Sequence, residues 1–94
     1  MGYTRKYAEG WFRRLAEGLG KDIAEGDNFR KIGAWELDYN SVYGGAIIEE
    51  VCNEGRGMTR PLIEYRLKPF EFGVMCQAIL KVHSWLCQAV NKQA

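Results

Sequence analysis

Excess charge is what this chain most lacks. Thirteen Lys and Arg against 12 Asp and Glu leave a formal +1 over 94 residues. That removes the strong positive field by which sequence-independent nucleic-acid binders gather phosphates, so such binding is not expected. Cysteine is sparse and unpaired in pattern: Cys52, Cys76 and Cys87 are an odd set without a CxxC spacing. Free thiols in a reducing cytoplasm follow. Long apolar runs are missing too. The N-terminus has no signal-peptide core, and Lys81 and His83 break the C-terminal run short of the ~20 residues a membrane span requires. Tyr43-Gly44-Gly45 lacks the lysine and hydroxyl of a P-loop, and no GxGxxG follows a strand. No cofactor, bound metal or catalytic residue is expected.

What remains is a folding composition. Hydrophobic residues make up 47% and aromatics 13% of the chain, far from a disordered profile. A single domain over residues 1–94 is expected. A chain this short buries a modest share of its surface, so a partner or a second copy would add stability.

Hydrophobic period divides the chain. Tyr7, Trp11, Phe12, Leu15, Leu19 and Ile23 fall along one helical arc, opposite Glu9, Arg13, Glu17, Lys21 and Glu25 at i, i+4 steps. The spacing predicts an amphipathic helix running to Gly26-Asp27-Asn28. Gly10, Gly18 and Gly20 weaken it by roughly 1 kcal/mol each, making it dependent on tertiary packing. From Trp35 the period becomes two, with Leu37 and Tyr39 alternating against Glu36 and Asp38. Residues 46–52 fit either a strand or a helical arc, and their Ile47, Ile48 and Val51 favour the strand. A third strand is read over Ile63, Tyr65 and Leu67, with Pro61 near its start at a sheet edge.

Pro69 suits a first helical turn. A helix of about twenty residues follows, with Phe72, Met75, Ile79, Val82, Leu86 and Val90 as its stripe, widened by Cys76, Leu80, His83 and Cys87. So wide an arc exceeds what one sheet face covers, and the helix is expected to build a homo-oligomer, a dimer or higher. The expected class is α+β, in the order α-β-β-β-α: a small three-stranded antiparallel sheet flanked by an N-terminal and a long C-terminal helix.

The candidate contact surface is the loop Asn53 to Pro61. Its glycines loosen the backbone around Arg56, and Arg56, Arg60 and Arg66 supply forked donors for carboxylate or phosphate. Trp35, Tyr43 and Tyr65 would offer stacking faces, and Trp85, on the other side of the last helix among Lys81, Gln88 and Lys92, is a candidate anchor. The plain alternative is a solvated hairpin whose arginines pair with Glu54 or Glu64. Cys76, His83 and Cys87 share one helix face, but the first two stand ~10 Å apart along the axis, too far to bind one ion. Glu49 and Glu50 are adjacent, so on a strand they point apart and cannot form an acid/base pair.

The run Tyr43-Gly-Gly-Ala-Ile-Ile-Glu-Glu-Val-Cys-Asn-Glu-Gly-Arg-Gly, followed by a short strand and a closing helix, resembles small accessory proteins of tailed phages and prophages. The resemblance covers roughly residues 35–90. It implies a non-enzymatic, oligomeric protein that either inhibits a host defence protein or sequesters a small anionic nucleotide. It transfers no catalytic residue.

Overall fold

The computed structural model describes residues 4–42, 44–53 and 58–93. The elements run α1 (Arg5–Gly18), a short 3-10 turn (Gly26–Asn28), β1 (Trp35–Asn40), β2 (Gly45–Val51), β3 (Thr59–Pro61) and α2 (Pro69–Gln93). This is the expected α+β arrangement. The sheet is antiparallel in the order β1-β2-β3.

The strand reading of residues 46–52 holds, because β2 is the central strand and its backbone is paired on both sides. Register places Trp35 opposite Glu50, Leu37 opposite Ile48 and Tyr39 opposite Ala46. These side chains share one face, and both helices pack on it. Ala8, Phe12, Leu15 and Ala16 of α1 meet Trp35, Ala46, Ile48, Phe72 and Cys76 in one buried cluster. The helices lie close where Gly18 of α1 faces Leu80 and Gly73 of α2 faces Tyr7 and Trp11. Here side-chain-free positions let one helix seat the other.

Two expected elements are corrected. The first helix stops at Gly18, well short of Ile23 and the 26–28 turn. Gly20 (φ 70°) reverses the chain, Lys21 N donates to Ala16 O at 2.8 Å and Gly20 N to Glu17 O at 3.1 Å. That is a Schellman termination, for which glycine is the favoured residue. The freed segment runs beside β1: Ala24 N donates to Trp35 O and Trp35 N to Asp22 O, each at 2.8 Å. Arg13 consequently pairs with Glu25 across the reversal rather than along a helix.

The third strand lies over Thr59–Pro61 and not over Ile63–Leu67. Pro61 is opposite Glu49 and Leu67 is bridged to Ala46, so six steps along the edge run beside three of β2. The surplus residues loop out as bends at 62–65. Their period of two reflects composition rather than pairing.

Candidate interaction surface

Of the residues read as a contact surface, Arg56 and Tyr43 lie outside the described residues. The others are separated by the fold. Arg60 sits on β3 directly opposite Glu50, and its Nε and Nη2 donate to Glu50 Oε1 at 3.2 and 2.9 Å. The hairpin alternative assigned this arginine to Glu54 or Glu64; the cross-strand neighbour takes it because register brings the two side chains onto one face.

Arg66 is a structural clamp. Its Nη1 donates to Asp38 O and Gly45 O, both at 3.1 Å, and its Nη2 to Asp38 Oδ2 at 2.7 Å. One guanidinium therefore ties the looped-out segment to both strands of the β1–β2 hairpin near its turn. Its rigid planar fork fixes the directions of these three hydrogen bonds, which the rotatable ammonium of a lysine does not. Arg66→Ala is expected to lower stability by about 2 kcal/mol, since charge-assisted hydrogen bonds to partly buried acceptors are lost. A urea titration checks this; a loss within ±0.5 kcal/mol, the usual range of surface substitutions, would show the clamp to be decorative.

Trp35 does not offer a stacking face. It is 9% exposed, in the core cluster, with its Nε1 buried and without an acceptor among the described residues. Tyr65 and Trp85 are open, at 75% and 67% exposure. Tyr65 sits in the bends after β3, whereas Trp85 projects from α2. The concave arginine and aromatic edge is thus reduced, in the described part, to Arg60 and Tyr65.

The thiols divide in the same way. Cys76 is fully buried, and burial pushes its thiol up to about 12, leaving it protonated and unreactive at neutral pH. Cys87 is exposed, with its Sγ 3.6 Å from Nε2 of half-buried His83. Among the described residues no three His, Cys, Asp or Glu side chains converge into a metal-binding group. Glu49 and Glu50 part as expected, one accepting from Thr59 Oγ1 at 2.7 Å and the other from Arg60.

A polar cleft of about 280 Å³ between α1 and β1 was missed in the sequence. Arg13 donates to both Glu25 oxygens there, at 2.8 and 2.6 Å. This hydrogen-bonded pairing, with its Coulombic attraction, raises the guanidinium and holds the Glu25 carboxyl below its usual range. The small stabilisation is present above the ordinary carboxylate pKa and is lost as pH falls through the lowered one. The signal was Gly20: a helix ended there brings residue 25 back to residue 13.

An open apolar surface runs along the second half of α2. From Lys81 onward no described side chain of α2 is buried; Val82, Leu86 and Val90 are 53%, 52% and 65% exposed. Helix lengths explain this, because α2 has 25 residues, about 37 Å, and α1 only 14, about 21 Å. Two adjoining grooves result. One of about 390 Å³ is lined by Leu19, Ala78, Ile79, Val82, His83 and Leu86, and one of about 460 Å³ by His83, Leu86, Cys87 and Val90. No helix among the described residues is long and apolar enough to cross a membrane. Searches against family models, curated proteins and solved structures find no match to this chain.

Proposed function

We propose that this chain is a non-enzymatic binding protein that works as a homo-oligomer, with the second half of α2 as the face joining its copies. The edge around Arg60 and Tyr65 is the surface offered to a partner protein. The resemblance to phage accessory proteins makes that partner a host defence protein in the host cytoplasm, which the bound chain inhibits. The observation carrying the reading is the apolar stripe of α2, which enters the core at Phe72 and Cys76 and then continues uncovered from Ile79 to Val90. A continuous apolar strip left open on one helix is a surface that a second copy could cover.

The nucleotide-sequestering alternative has less support. It needs guanidinium groups open to an anion, and both described arginines of the candidate edge, Arg60 and Arg66, hold carboxylates.

Leu86→Glu tests the reading. Leu86 is half exposed in the single chain, so the fold tolerates the change, while a carboxylate in a closed apolar interface is costly. Native mass spectrometry of freshly purified protein is expected to show a multimer for the natural chain. The variant should be a monomer with unchanged far-UV circular dichroism. A natural chain that is monomeric at tens of micromolar would refute the oligomer.

A further inference from the structure

On the open face of α2, His83 and Cys87 are one helical turn apart, with Sγ and Nε2 at 3.6 Å. The contact lies within hydrogen-bonding range of sulfur, and its length also matches the bite of a tetrahedral zinc site: bonds of about 2.3 Å to sulfur and about 2.05 Å to nitrogen, at the tetrahedral angle, place the two donors about 3.6 Å apart. One chain supplies only two ligands. The rest of the face is uncharged and apolar, with Ile79, Val82, Leu86 and Val90 flanking the pair. No further His, Cys, Asp or Glu among the described residues converges on the pair to complete the shell.

We propose that His83 and Cys87 form half of a zinc site that a second copy completes. Two α2 helices related by a two-fold axis bring a Cys₂His₂ set around one ion. The inference rests on the self-association of α2 proposed above and names what locks it. Isologous pairing makes the ligand set self-completing, because whatever one copy presents at the dyad its partner presents too. Four protein ligands close the coordination shell, as structural rather than catalytic zinc requires. As each Zn–S bond forms, the thiol proton passes to the buffer, and no electron transfer is involved.

Area explains why metal is required. The strip from Ile79 to Val90 is about 17 Å long and about 10 Å wide. That is less than the ~800 Å² each partner contributes to a stable complex, so apolar contact alone leaves the pair short. Coordination bonds across the dyad supply the remainder. Flanking leucine, isoleucine and valine exclude water from the ion. Cys76 takes no part, since it faces the core.

The test uses the full chain carrying Cys52→Ser, to remove the other exposed thiol, in a phosphine reductant that prevents a disulfide. Sedimentation velocity is run with EDTA, with ZnCl₂ and with CoCl₂. The expected result is a monomer in EDTA and a dimer in zinc, with one metal per two chains. Cobalt should give the intense visible bands of a tetrahedral thiolate site. His83→Ala and Cys87→Ser should each abolish the zinc-dependent dimer, whereas Cys87→His, which keeps a ligand, should retain it. A dimer of equal strength in EDTA and zinc, without bound metal, would overturn the zinc site and leave the self-association reading standing. A monomer under every condition would overturn both. One metal per monomeric chain would overturn the shared site.

Discussion

Phe72→Ala is expected to cost about 3–5 kcal/mol, the range for truncating a buried aromatic side chain. Phe72 is fully buried where α2, α1 and β2 meet, in the company of Phe12, Leu15, Ile48 and Cys76. Its loss removes the side chain's transfer free energy and leaves a void that three rigid elements cannot close together. A domain of 94 residues has only about 5–14 kcal/mol of stability in all, so this single change takes a large share. The thermal midpoint should fall by about 15 °C or more, and the urea midpoint in proportion. A loss under about 1 kcal/mol would show that the start of α2 is not seated on the sheet. The variant also separates the two parts of the apolar stripe. Val82→Ala, farther along the same stripe but half exposed, should stay within about 0.5 kcal/mol, because about half of its side chain already lies in solvent and little burial is lost.

That contrast along one stripe shows where sequence reasoning reached and where it stopped. Period assigned the element types well. Alternation at Trp35, Leu37 and Tyr39 marked β1, the β-branched content of residues 46–52 marked β2, and the i, i+3, i+4 spacing from Phe72 marked α2. Boundaries went wrong where one glycine or a bulge decides them. Gly20 ended α1 against a continuing apolar arc, and the looped-out residues after Pro61 preserved an alternation without pairing.

The contact surface was the least legible part, because a side chain's availability depends on what the fold brings opposite it. Arg60 is neutralised by a residue ten positions away and Arg66 by one 28 positions away. Trp35 starts a strand with an inward-facing register and is buried, although composition alone marked it as a stacking aromatic. Conversely, the width of the α2 arc did carry information. It exceeded what the sheet could cover, and the excess is the face left open.

Gly45→Ala should destabilise by about 3–5 kcal/mol, because two penalties act at one atom. The backbone of Gly45 has φ +117°, a conformation that side chains of L-residues rarely adopt. An added Cβ would also run into the carbonyl of Leu67, with the Leu67 carbonyl carbon at 2.9 Å and Lys68 Cα at 3.1 Å. These are main-chain atoms, so no rotamer change relieves the contact. The strand must separate from the segment leading into α2. That separation breaks the reciprocal bridge in which Ala46 N donates to Leu67 O at 2.7 Å and Leu67 N to Ala46 O at 2.8 Å. It also displaces the Gly45 carbonyl that accepts from Arg66.

Gly44→Ala is the matched comparison. Its φ is +100°, but among the described residues an added Cβ meets only Arg66 Cβ, at 3.9 Å, so conformational strain dominates and about 1–2 kcal/mol should be lost. Urea titrations of both variants isolate the steric part as their difference. Equal losses would mean that the Leu67 carbonyl yields freely, and that the bridge is not what holds α2 to the sheet. A larger loss at Gly45, accompanied by faster amide exchange at Leu67, would identify this one backbone contact as the joint between the hairpin and α2.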